Sequence, residues 1–391
     1  MSTVLIASSA KISLFVGAIF LSIGVYLPFF PLWLENQAFT TNQIAILLTV
    51  PLLVRVSVTP FLMTLAGRLP QRRQAALAYT GFALLAFASL SLFDGFWPTV
   101  LVLGLFGMVW HALVPLGDSF ALSEVRLHGA NYGTIRLWGS ITFVLANFGA
   151  GAYLGVIGPN GAYGLIVAML ALAFLSACLL PSYGVPVVER PRPGLTLSAE
   201  VLSTLTHGRL MGVAVSAGLI QASHAMVYGF GTINWIARGY STTAIGMFWA
   251  VGVIAEILLF TQARRLFGNV SSSLLVAIGG LAAILRWIIH GHVDGEVAIL
   301  VVQCLHGLSF GATHLGMQGF IAREFGEHDT PTAQGGVVLV SGVTMAAATL
   351  LCGGLYDRFG IHAFYAMAAM AALAFVPLLL IAQPHRAGSG G

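Results

Sequence analysis

The chain has 391 residues, 58% of them hydrophobic and only 8% charged, with a mean hydropathy of +0.92. A soluble domain carries roughly 25% charged residues, so this chain has too little polar surface to remain in water. Its apolar runs reach about 18 residues or more, enough to cross roughly 30 Å of hydrocarbon. They are continuous rather than alternating, which excludes a transmembrane barrel and leaves a polytopic helical membrane protein.

In chain order, spans are expected at 12–34, 43–66, 75–93, 98–121, 136–156, 162–180, 210–235, 243–263, 272–290, 297–320, 335–354 and 362–382. The first is too long an apolar run for a signal peptide and no cleavage site follows it, so it is read as a retained span. The stretch 181–209, containing PSYGVPVVERPRPG, is the longest connection, and its proline and charge mark a linker. It divides the chain into residues 1–180, with six spans, and residues 210–391, with six more. Spans two and eight end in similar basic turns, AGRLPQRRQ and ARRLFGN. Two similar halves around a linker point to alternating access, with substrate held between them near mid-membrane.

With both termini placed in the cytoplasm, cytoplasmic segments hold Lys11, Arg68, Arg72, Arg73, Arg126, Arg190, Arg192, Arg209, Arg264, Arg265, Arg323 and Arg386. External loops hold only Arg238 and Arg358, as the positive-inside rule requires. A sequence pI of about 9.1 is thereby explained by membrane topology, with no need of nucleic acid. Cys178, Cys304 and Cys352 are isolated within spans and read as packing residues, not a redox or metal site.

Asp118 and Glu256 are the two acids well inside spans, and Arg136 and Arg286 are basic residues in or at the edge of spans in the same halves. An ion in hydrocarbon costs several kcal/mol unless paired or hydrated, so each is a functional candidate; the competing reading is a structural ion pair between helices. Arg55, alone on span two, is read as structural or gating. His224, His306, His314 and His111 add groups that titrate near neutrality, although a membrane histidine also serves as a plain helix contact. No histidine has a carboxylate or thiolate at metal-ligand spacing, so neither metal nor cofactor is expected. Tyr228 and Trp138 are candidates for stacking on a substrate ring, against the competing role of interfacial anchors. Gln221, in the polar stretch QASH, is a further candidate substrate contact.

Several stretches resemble the major facilitator superfamily, in its branch holding lactose permease and the phenylpropionate permeases. They are GVYLPFFPLWLENQAFTTNQIAILL, PLGDSFALSEVRLHGANYGTIRLWGSITF, QASHAMVYGFGTINWIARGYSTTAIGMFWAVGVIAEILLF, LRW at 285–287 and GATHLGMQGFIAREF. The third is closer to the phenylpropionate permeases than to the sugar permeases. The resemblance covers nearly the whole chain. It implies an all-α membrane protein of twelve transmembrane helices in two six-helix bundles with pseudo-two-fold symmetry. Asp118 then takes the place of the sugar-binding glutamate and Arg136 that of the essential arginine. Glu256, Arg286 and His306 take the acidic residue of span eight, the arginine of span nine and the histidine of span ten. The chain departs from the pattern at Ser309, where lactose permease has its proton-carrying glutamate, and in AGRLPQRRQ, which lacks the usual aspartate.

The function expected is proton-coupled import of a small aromatic carboxylate such as 3-phenylpropionate, by a monomer in a bacterial inner membrane. Asp118, Arg136, Trp138, Gln221, His224, Tyr228 and Arg286 would bind substrate, while Glu256, His306 and Asp118 would carry protons. Arginine suits a carboxylate because its planar fork donates two parallel hydrogen bonds and never loses its charge. Sugar or nucleoside symport is the alternative, and drug efflux the third. A sensor would need a sizeable output domain and an enzyme a nucleophile–base or metal constellation; the sequence presents neither.

Overall fold

The computed structural model describes residues 2–182, 206–326 and 329–382. Most of the expected linker, with Arg190 and Arg192, lies outside the described residues, as does Arg386. All regular elements among the described residues are helices. Eleven are long and apolar enough to cross a membrane. Ten of the twelve expected spans each overlap one such helix, with ends that differ by up to seven residues, at span four, where the helix runs on to His128. The last two share Thr332–Ile381, a stretch of 50 residues. A straight helix of that length would run about 75 Å, more than twice the hydrocarbon thickness. The stretch breaks where Gly360 takes φ +51°, in a tight turn over Gly360–Ala363, so it contains two crossings.

In chain order the helices are α1 (Ser2–Asn36), α2 (Thr41–Arg68), α3 (Arg72–Ala88), α4 (Phe96–Trp110), α5 (Leu113–His128), α6 (Tyr132–Ile157) and α7 (Gly161–Cys178). Then follow α8 (Gly208–Ala222), α9 (Thr232–Ala237), α10 (Thr242–Phe267), α11 (Ser272–His290) and α12 (Glu296–His306). The last are α13 (Thr313–Glu324), α14 (Thr330–Phe359), α15 (Phe364–Leu373) and α16 (Phe375–Ala382). Spans four, seven and ten are each interrupted. His111 and Ala112 separate α4 from α5, and wide π-helical turns at Val227–Gly231 and Gly307–Ala312 lead into α9 and α13. Such turns aim side chains off the regular helical spacing and are frequent at functional sites.

By contacts the chain forms two compact units. The first takes in residues 2–182, 227–253 and 349–357. Its centre is aromatic: Tyr26, Phe30, Phe87, Phe106 and Trp110 pack with ring centroids 4.8–6.1 Å apart. Small residues let α1 and α6 approach closely, since a Cβ on Gly24 would stand 2.7 Å from that of Ala146. At two further places helices meet backbone to backbone. Gly246 of α10 lies against Asn147 and Gly151 of α6, where Thr242 donates a 2.7 Å hydrogen bond to the Gly151 carbonyl. Gly353 of α14 lies against Thr41, Asn42 and Ala45 of α2.

The second unit takes in residues 206–226, 254–348 and 358–382. Leu210, Val213, Ala214 and Ala217 of α8 pack there against Met317, Phe320 and Ile321 of α13 and Ala333 and Val337 of α14. Trp287 of α11 is fully buried, stacked on Phe364 at 5.8 Å, and donates its indole N–H to Ser223 at 2.7 Å.

Candidate functional site

In the first unit Asn131 caps α6, accepting from the Thr134 amide, and the helix then carries Tyr132 and Arg136 one turn apart. Both turn to Asp118 on α5. Arg136 Nε lies 3.7 Å from Asp118 Oδ1, and the Tyr132 hydroxyl donates to the same oxygen at 3.1 Å. The guanidinium rests 4.1 Å above the ring of Phe20 on α1. Gly139 makes that seat, because a Cβ there would come 2.7 Å from Arg136 Nη1 and 2.9 Å from the Phe20 ring. Both ions are about one-third exposed, 32% each, so the pair is held in place yet reachable by a solute.

Trp138 is not brought to this pair. Two residues along a helix turn it about 200° away from Arg136. It is 49% exposed and lines a cavity of about 340 Å³ with Ala10, Ser13, Gly17, Leu21 and Leu172, which includes neither Asp118 nor Arg136. Tyr228 stands in the first π-helical turn, stacked 6.0 Å from Trp249, whose N–H donates to Thr232 at 3.1 Å. His111 falls in the break of span four and interacts electrostatically with Arg55.

The second unit gathers a buried polar chain whose protons can be placed by elimination. His224 Nδ1 faces the carbonyls of Ile220 and Gln221 at 3.1 and 3.2 Å, so it donates. With the ring neutral, Nε2 is then an acceptor, and it takes the Ser309 hydroxyl proton across 3.1 Å. Ser309 in turn accepts from Arg286 Nη1 at 3.3 Å. Arginine only donates, so His306 Nδ1, 2.9 Å from the same Nη1, also accepts. The proton of His306 therefore sits on Nε2, which faces Glu256 Oε2 at 3.5 Å. Arg286 Nη2 donates to Gln303 at 2.7 Å, and the guanidinium lies 4.5 Å over the Trp287 ring. Arg286 is 2% exposed, and His224 and Ser309 are wholly buried. A buried guanidinium is costly unless its donors find acceptors, and here an amide, a hydroxyl and an imidazole accept from the two terminal nitrogens.

Sequence reasoning brings out Arg286, His306, His224 and Glu256, and the structure joins them. Gln221 contributes its backbone carbonyl to His224. Ser309 and Gln303 were missed. Ser309 drew notice only as a departure from the lactose permease pattern, yet it links His224 to Arg286. Glu124 falls three residues past the expected end of span four at 121, yet it lies on α5, because the helix runs on to His128. Its side chain is fully buried, accepting from Ser8 and from Ser9 at 3.0 Å and meeting His128 at 3.0 Å.

Membrane-spanning helices broken at mid-span, with paired ions between them, define a polytopic carrier of small solutes rather than an enzyme. Residues 9–367 match the family model described as the MFS_1 like family, and the chain belongs to that family. It is similar to the probable 3-phenylpropionic acid transporter of Escherichia coli, 30% identical over 361 residues, covering 90% of this chain and 92% of the relative. It is also similar to the maltose permease of Geobacillus stearothermophilus, 26% identical over 383 residues and covering 95% and 94% of the two chains. Among solved structures the nucleoside transporter NupG superposes with a TM-score of 0.82 at 15% identity, covering 95% of this chain and 98% of that one. An inward-facing, unoccupied bacterial homologue of the human lysosomal transporter Spinster gives 0.70 at 13% identity, covering 97% and 95%. The fold is that of the major facilitator transporters. The protein is a multi-pass membrane transporter of small molecules.

Proposed function

We propose that the protein couples proton entry to import of a small aromatic carboxylate by alternating access, as a monomer in a bacterial inner membrane with both termini cytoplasmic. Two six-helix bundles, residues 1–180 and 210–391, would rock about the site, joined by the linker 181–209. The observation that carries this reading is the chain Arg286–His306–Glu256. Arg286 holds His306 as a fixed tautomer whose remaining N–H faces a partly exposed carboxylate. Protonation of Glu256 removes a charge from the membrane interior, which lowers the cost of moving that region past the lipid. Arg136, compensated by Asp118 when empty, offers its fork to a substrate carboxylate, and Arg286 is the second candidate cation. Tyr228 remains the proposed ring contact, whereas Trp138 lines a cavity without Arg136; Gln221 and His224, the latter joined to Arg286 through Ser309, remain proposed substrate contacts. The relative named for 3-phenylpropionic acid supports the substrate class.

Sugar symport is the second reading, favoured by the likeness to a maltose permease along 95% of the chain. Nucleoside import belongs with it. Asp118 would then accept substrate hydroxyls.

Uptake of labelled 3-phenylpropionate into proteoliposomes, with and without an inside-alkaline pH gradient, tests the proposal. Accumulation is expected only with the gradient, and lost in Glu256→Gln. Uptake that ignores the gradient overturns the coupling, and uptake that survives Arg136→Ala and Arg286→Ala overturns the site. Competition by maltose but not by other aromatic acids would favour the second reading.

A further inference from the structure

We propose that His314 is a second proton carrier, taking the proton from Glu256 and passing it towards the helix ends that bear Arg264, Arg265 and Arg323. The inference rests on the proton-coupled reading above. It names a residue for which that reading has no use.

Two ladders of side chains lie against each other. On span ten, His306, Phe310 and His314 stack in sequence, with ring centroids 5.3 and 6.3 Å apart and planes inclined by 24° and 5°. They are four residues apart, so the π-helical turn Gly307–Ala312 keeps all three on one face. On α10, Glu256, Phe260 and Arg264 have the same spacing. Phe260 meets His314 at 6.1 Å, one turn beyond the contact of Glu256 with His306. Two glycines bring the ladders together. A Cβ on Gly307 would stand 2.8 Å from the Ala255 carbonyl oxygen, and one on Gly311 3.8 Å from Glu256 Cγ. Glu256 thus has its Cγ beside Gly311, three residues before His314, and its carboxylate 3.5 Å from His306.

The histidines differ in what holds them. His306 is 8% exposed and accepts from Arg286, so a second proton on its ring would break that bond. His314 is more open, and among the described residues its ring makes stacking contacts and no hydrogen bond. It also lies about 12 Å further along the span, towards the basic end. The titratable groups around it are Glu256 on α10 and His306 on α12, with Arg286 and His224 behind His306. The Arg209–Glu324 pair, at 2.6 Å, stands at the basic end of the unit. In the transfer, the protonated Glu256 side chain leaves His306 and turns towards His314, and its O–H bond breaks as an N–H bond forms on the His314 ring. This leaves a carboxylate and an imidazolium, and the imidazolium then returns its proton to water at the basic end.

The test compares two transport modes of the full-length protein in liposomes, with labelled 3-phenylpropionate as probe. In His314→Gln, gradient-driven accumulation should fall at least about tenfold, the low end of what a positioned proton carrier contributes. Exchange of labelled for unlabelled substrate at matched pH needs no net proton release, so it should change less than about twofold. His314→Glu, which restores a titratable group, should recover part of the accumulation. Accumulation by His314→Gln equal to that of the unaltered protein, while Glu256→Gln accumulates nothing, overturns this role and leaves proton coupling standing. Equal loss of both modes, without recovery in His314→Glu, overturns it in favour of packing. If the unaltered protein exchanges the probe but ignores the gradient, the coupling reading falls and this proposal falls with it.

Discussion

Gly246→Ala is the most direct probe of alternating access in this protein. The new Cβ would stand 3.2 Å from the Asn147 carbonyl carbon and 3.3 Å from Gly151 Cα, and closer still to the Asn147 oxygen. All three are backbone atoms of α6, so no rotamer change relieves the clash and the helices must separate. Overpacking of this kind costs about 1–3 kcal/mol. That cost falls only on the state in which α6 and α10 cross in contact, so the population should shift about 5–150-fold towards states in which they are apart. The assay places Thr243→Cys, beside this crossing, in a background with Cys178, Cys304 and Cys352 changed to Ala. Labelling by a membrane-impermeant maleimide in intact cells should quicken by at least about fivefold when Gly246→Ala is added. Accumulation of substrate should fall in parallel. Unchanged labelling in a variant that purifies and melts like its parent would refute the argument, because the crossing would then be open or yielding in the resting protein. Gly353→Ala tests the corresponding crossing on α2, where the added Cβ would meet that of Ala45 at 2.7 Å and the Thr41 oxygen at 2.9 Å.

Three further outcomes are expected. Gly139→Ala pushes on Arg136 Nη1 and Phe20 without removing a charge, so the apparent KM for the carboxylate should rise about tenfold with little change in thermal stability; an unchanged KM would detach Arg136 from binding. Ser309→Ala leaves the buried His224 Nε2 without its donor and should cost about 1–3 kcal/mol, read as a lowered thermal midpoint. Trp287→Phe keeps the stacking on Phe364 and removes the N–H that Ser223 accepts, while the Ser223 hydroxyl still donates to the Ile220 carbonyl at 2.6 Å, so a smaller loss of about 1 kcal/mol is expected by the same measurement.

The charged members of the candidate site were legible because charge is scarce in this chain. An arginine or carboxylate inside an apolar run stands out, so Asp118, Arg136, Glu256 and Arg286 could be found without coordinates. Pairing followed in part, since Asp118 and Arg136 do meet. Uncharged partners were hidden for the opposite reason. A serine or glutamine costs little in a helix interior and occurs there often, so nothing marked Ser309 or Gln303 as the acceptors that satisfy Arg286. Periodicity located the spans but not the turn at 111–112 or the π-helical turns at Val227–Gly231 and Gly307–Ala312, since such local changes leave composition unaltered. Trp138, two residues from Arg136 in sequence, stands about 200° round α6 from it. Glu124 was set outside the span because hydropathy fades at a helix end, whereas the hydrogen-bonded helix and its burial continue past that point.

The string of hydrogen bonds through Ser309 runs in a single sense, from Arg286 through the hydroxyl to His224. A hydroxyl offers one proton, and Ser309 has committed its own. For His224 to take up an added proton at Nε2, Ser309 would have to turn its hydrogen towards the His306 carbonyl oxygen, 3.5 Å away and a weaker acceptor at that distance. That arm of the network is consequently expected to take up a proton less readily than the Glu256 side.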